Sequence, residues 1–197
     1  MIPITTAKIG DNSELFPDIL ELYCKDGDTI ADVTYGKGVF WKHIDKSKYT
    51  LHFSDIQNGI DYNNLPYGDL SIDALVLDPP YMGHNGGKTY ATARNYNVDV
   101  KKYDKKYIDV LYNGGISEAK RVLVKKGLLI IKCQDEIQSG KQNLNHCKII
   151  DNCTNEGFIV EDIFILVQKN TPIMRHDYQI HARKNHSYFI VFRKMGA

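Results

Sequence analysis

Two apolar runs, DALVL (residues 73–77) and LLIIKC (residues 128–133), are short, branched and nearly free of the alternation that marks a half-exposed strand. Runs of this kind belong to strands covered on both faces, as in a parallel sheet packed between helices. The chain around them alternates in the same sense. PDILELYCK (17–25) reads as a helix with Pro17 in its first turn and Gly27 just past its end. TIADVT (29–34) reads as a buried strand, VFWKHI as a short helix that turns Phe40 and Trp41 inward, and YTLHFS as a strand ending at Asp55. GISEAKRVLVKK and residues 141–156 have helical patterns, and FIVEDIFILVQ and HSYFIVFRK predict two final strands forming an antiparallel pair. Strand-helix repetition of this sort predicts an α/β fold: a doubly wound, mostly parallel sheet with helices on both faces. Ligands of such a sheet sit at the carboxyl ends of its strands.

Bulk properties bound the rest. With 197 residues, 43% of them hydrophobic, the chain can bury one substantial core, so residues 1–197 are expected to form a single domain. A net charge of +1 argues against a surface that is basic throughout, so any polyanion would have to meet a local basic face. The four cysteines, Cys24, Cys133, Cys147 and Cys153, form no CxxC pair, and the histidines form no HxxxH or HxH pair. Reduced, buried thiols and a cytoplasmic setting are the expectation, with no metal. No basic n-region followed by an apolar run opens the chain, and no stretch approaches eighteen consecutive apolar residues, so no membrane span is expected.

The chemistry concentrates after three strands. In DVTYGKG (32–38), Gly36 and Gly38 allow a sharp turn and let a ligand approach the backbone. Trp41 stands where a dinucleotide fingerprint would need its third glycine, which disfavours a pyrophosphate on the helix start. Asp55 ends the next strand, where a carboxylate suits the two hydroxyls of a ribose; the alternative is an acid that caps a loop. Asp61 follows in a turn-rich stretch and is a candidate acceptor for an exocyclic amine.

The most specific segment is DPPY, Asp78–Pro79–Pro80–Tyr81, directly after DALVL. The prolines lack N–H groups and fix φ, which leaves the neighbouring carbonyls free and held in place. A carboxylate and a carbonyl then offer two acceptors to the two hydrogens of an amine. Tyr81 adds an aromatic face suited to stacking on a planar base.

DVTYGKG followed some forty residues later by DPPY resembles the class I S-adenosylmethionine-dependent amino-methyltransferases, especially the DNA adenine-N6 methyltransferases, including small ones of phages and mobile elements. The resemblance implies a Rossmann-like seven-stranded sheet with an antiparallel C-terminal strand. It also implies S-adenosylmethionine as cofactor, with Asp32, Tyr35, Gly36 and Gly38 at its methionine end, Asp55 at its ribose and Asp61 at its adenine, and Thr34 among the cofactor-binding residues. Asp78, Pro79, Pro80 and Tyr81 would hold the target amine. The methyl acceptor would be adenine N6 in DNA. Base amines in RNA, cytosine N4, or a catalytically silent nucleic-acid-binding module are the alternatives.

Members with this motif order usually append a target-recognition domain, and none is legible here. Recognition is then expected from the basic, Tyr-rich loop at about 82–106 or from a partner. Lys88, Arg94, Lys101 and Lys102 in that loop, with Arg183, Lys184, Asn185 and His186 before the last strand, are the candidate nucleic-acid contacts.

Overall fold

The computed structural model describes residues 3–79, 107–138, 140–169 and 179–196. Seven of its strands form one sheet: β1 (Ala7–Gly10), β2 (Thr29–Asp32), β3 (Thr50–Phe53), β4 (Ile72–Leu77), β5 (Leu123–Cys133), β8 (Phe158–Gln168) and β9 (His186–Lys194), in the order β1-β8-β9-β5-β4-β2-β3. All neighbours run parallel except at β9, which is antiparallel to both β5 and β8. The expected antiparallel pair of final strands is therefore present. β6 (Glu136–Gln138) and β7 (Lys141–Asn143) make a separate small ribbon.

Helix α1 (Asn12–Tyr23) covers one face, and α2 (Tyr107–Val122) and α3 (Asn145–Asn155) cover the other. Strand β4 shows why its sequence does not alternate. Ala74 and Val76 enter the core with Phe16, Ile19, Phe40, Trp41 and Phe189, while Leu75 and Leu77 enter the core with Leu111, Ile116, Ile149 and Phe192. Each large apolar side chain buried this way contributes about 1.5–3 kcal/mol.

Three boundaries differ from the sequence reading. α1 begins at Asn12, ahead of the expected start, because Asp11 closes a capping box: its carboxylate accepts from the N–H groups of Ser13 and Glu14, and Glu14 accepts from the Asp11 N–H at 2.8 Å. Pro17 thus lies inside the helix and not in its first turn, at the loss of one bond to the Ser13 carbonyl. The helical pattern of GISEAKRVLVKK ends at Val122, since Leu123 pairs with Ile72 and joins the sheet. Residues 141–143 are strand, leaving a shorter α3. The N-terminal strand β1 had no sequence signal. Among the described residues β8 alone pairs with it, in register Ala7–Ile165 to Gly10–Gln168.

Candidate active site

The turn after β2 is pinned from both sides. Toward β4, the Asp78 N–H donates to Thr34 Oγ1 at 2.7 Å, and the Val33 N–H donates to the Val76 carbonyl at 3.1 Å. Toward β3, the Tyr35 N–H donates to the Ser54 carbonyl at 3.1 Å, and the Gly36 N–H donates to Asp55 Oδ2 at 3.0 Å. The fold therefore brings Thr34, Tyr35, Gly36, Asp55 and Asp78 together at neighbouring sheet tips.

Asp32 is buried at the end of β2, where Trp41 Nε1–H donates to its Oδ2 at 2.7 Å and the Thr34 N–H to its Oδ1 at 3.1 Å. Burial pushes its carboxyl up to about 7, with the two donors opposing and the Asp78 and Asp55 charges adding to the rise. Trp41, which displaces the third glycine of a dinucleotide fingerprint, is thus the clamp that holds Asp32. Asp55 caps the turn Ile56–Asn58, its Oδ1 accepting from the Gln57 N–H at 2.9 Å. Each Asp55 oxygen spends one acceptor site on the backbone and keeps another.

Gly36 and Gly38 both adopt left-handed backbone, at φ +52° and +66°. Around Gly36 the space is open: an added Cβ would find only the Thr34 carbonyl, at 3.8 Å. At Gly38 the room is taken by the Tyr35 ring, which would collide with any side chain there. That ring also stacks on Phe53, with centroids 4.2 Å apart. Beside the turn opens a cavity of about 570 Å³, lined by Tyr35, Gly38, Val39 and Trp41, by Asp11 and Ser13 at the start of α1, and by Lys37, Lys42 and Lys46. Asp78 does not line it.

Asp78 stands half-buried at the tip of β4, with the buried Pro79 after it. Its Oδ2 lies 3.5 Å from Lys132 Nζ, and its buried Oδ1 has no hydrogen-bond partner among the described residues. Burial raises the Asp78 carboxyl, and the Lys132 cation works against that rise. Lys132 escaped the sequence reading, although a lysine in the penultimate place of the buried run LLIIKC was a usable signal. Its ammonium rests over the rings of Phe40 and Phe189, 5.9 and 6.0 Å from their centroids.

The remaining candidates are more scattered. Asp61 is exposed, and its Oδ1 accepts from both the backbone and the side-chain nitrogen of Asn63; no hydrogen bond among the described residues joins it to the glycine turn. Arg183 is exposed, with Lys184, Asn185 and His186 half-buried. Because β9 is antiparallel, its first residues arrive at the carboxyl end of β5, where Tyr188 pairs with Cys133. There His186 Nε2 lies 3.1 Å from the Tyr188 hydroxyl, which donates to Asp135 Oδ2 at 3.3 Å, while His146 Nδ1 lies 2.7 Å from Asp135 Oδ1. His186 therefore belongs to a polar network at the sheet tips. Pro80, Tyr81, Lys88, Arg94, Lys101 and Lys102 lie outside the described residues. Among the described residues no three His, Cys, Asp or Glu side chains form a metal-holding group, and no helix is long and apolar enough to cross a membrane.

A mostly parallel seven-stranded sheet with one antiparallel strand, a glycine turn after β2 and helices on both faces defines the class I methyltransferase fold. The 1,6-didemethyltoxoflavin-N1-methyltransferase of Burkholderia thailandensis shares this fold at a TM-score of 0.59 and 10% identity, over 94% of this chain and 79% of that one. An S-adenosylmethionine-dependent methyltransferase of Methanosarcina mazei aligns at a TM-score of 0.51 and 11% identity, over 90% of this chain and 97% of that one. A candidate DNA modification methylase of Thermus thermophilus is 22% identical at a TM-score of 0.48, over 70% of this chain and 52% of its own, so this chain spans about half the length of that protein. A search of curated proteins gives no match. Residues 72–197, which begin at β4 and include DPPY, match the model of the N6/N4 DNA methylases, and the chain belongs to this DNA methylase family.

Proposed function

We propose that this protein transfers a methyl group from S-adenosylmethionine to the exocyclic N6 amine of adenine in DNA. The observation that carries the reading is Asp78: a carboxylate at a strand tip, with one buried oxygen free among the described residues and a backbone N–H bound to the glycine turn. Donor side and acceptor side of a transfer reaction are thereby held in one frame.

The residues present fit the cofactor. Gly36 leaves open space where a side chain would stand, and Asp55 keeps acceptor capacity for a ribose. Asp61 is the candidate for the amine of the cofactor's adenine. When bound, the cofactor supplies a methyl group already activated on a sulfonium. The chain's own work is then alignment and electrostatics. Asp78 Oδ1 accepts a hydrogen bond from the target amine and stabilises the positive charge that grows on its nitrogen, and it is the nearest acceptor for the proton that the amine sheds. Pro79 and Pro80 stiffen the backbone around that oxygen, and Tyr81 stacks on the base once it leaves the duplex, offsetting part of the few kcal/mol that extrusion costs. Target DNA is met by the basic segment 82–106 and by Arg183–His186.

The test is transfer from radiolabelled cofactor to a panel of DNA and RNA, with mass spectrometry of the product nucleosides. N6-methyladenine in DNA is the expected product. N4-methylcytosine would keep the enzyme and change the base, and a methylated RNA amine would change the nucleic acid. Asp78→Ala should abolish transfer, by at least about 100-fold in kcat, with cofactor binding by calorimetry nearly intact. Equal loss of both would remove Asp78 from the acceptor site.

A further inference from the structure

Lys132 is a buried lysine near the end of a strand whose last seven residues are all buried. β5 runs beside β4 with Leu77 opposite Ile131, so the next residue on each strand is Asp78 and Lys132. The lysine side chain is buried, and its neighbours Ile131 and Cys133 are fully so. Phe40, from the turn after Gly38, and Phe189, its pairing partner on β9, flank the ammonium. The backbone side of Asp78 is fixed by Thr34.

The two carboxylate oxygens are therefore unequal. Oδ2 faces the ammonium at 3.5 Å, and Oδ1 is buried without a partner among the described residues. Building on the methyl-transfer reading, we infer that Lys132 is a positioning residue: by holding Oδ2 it keeps Asp78 ionised and turns Oδ1 to the acceptor amine.

The charge logic follows from burial. A carboxylate removed from water takes up a proton unless a cation sits beside it, and a protonated Asp78 offers the amine no negative charge. Among the described residues, the charged or titratable groups that interact with Asp78 are Asp32 from β2, whose carboxyl the Asp78 charge raises, and Lys132 and Cys133 from β5. Of these only Lys132 favours the anion.

Two measurements test this, one independent of turnover. In protein carrying carboxyl-labelled aspartate, with the Asp78 signal assigned by comparison with Asp78→Asn, the Asp78 titration midpoint should rise by about one unit or more in Lys132→Met and stay within about half a unit in Lys132→Arg. In methyl transfer, Lys132→Met should lower kcat about tenfold or more at neutral pH, recover part of it at higher pH, and leave the cofactor dissociation constant within about twofold. If Lys132→Met does not fold, Lys132→Gln replaces it, keeping a donor and losing the charge. An unmoved midpoint, or an arginine variant no more active than the uncharged one, overturns the inference. A midpoint that moves in Lys132→Met while the wild-type protein transfers no methyl group upholds the Lys132 coupling and fails the functional reading instead.

Discussion

Asp32 is held above the ordinary carboxylate range by burial, and this has a definite sign in stability. Between about pH 4 and pH 7 the folded chain keeps a proton that the unfolded chain has already released, so this group's contribution falls as pH rises through that window and is lowest above it. Asp32→Asn cannot titrate. The wild-type protein should therefore lose stability relative to Asp32→Asn between pH 5 and pH 8, by on the order of 2–4 kcal/mol, as read from paired thermal melts. Parallel curves for the two proteins would place the proton elsewhere. The amide can accept from only one of Trp41 and Thr34, so the slope carries the prediction and the absolute offset does not. Asp32, Asp55 and Asp78 were legible in the sequence because each acid stands in or just beyond the end of a strand-like run. Lys132 was visible as a lysine in a buried run, but its partner was not, since that depends on which strand lies beside β5. Gly38 was half legible: the turn was expected, but its space goes to the Tyr35 ring, drawn there by Phe53 from the next strand.

Elements whose burial is two-sided announced themselves, and those stabilised by a distant partner did not. β4 and β5 were readable from residues 73–77 and 128–133 alone. β1 has four residues of which only Gly10 is buried, and its strand pairing is with β8, far along the chain. The start of α1 was obscured by Pro17, whose usual place is a first turn, although DNSE at residues 11–14 spells the capping box that overrides it. Asp11→Ala should cost about 1 kcal/mol in denaturant unfolding, with the slope on denaturant unchanged. A cost near zero would mean that packing of Leu15, Phe16 and Ile19 alone sets where the helix begins.

Over the molecule as a whole, 25 basic and 24 acidic residues nearly cancel, so attraction to a polyanion must come from their placement. Arg183 and Lys184 lie just before β9, at the same end of the sheet as Asp78. Neutralising both should weaken DNA binding for every sequence tested and reduce the slope of log affinity against log salt by about 2, one for each phosphate left without its cation. An unchanged slope would assign these two charges to solvent. The strand just beyond them has a longer consequence. Among the described strands β9 alone enters the seven-stranded sheet from the edge that carries Asp78, while β2, β4 and β5 leave by it. Its first residues are thereby delivered to the tips of β4 and β5 by the chain ahead of it, and not by the core of the sheet.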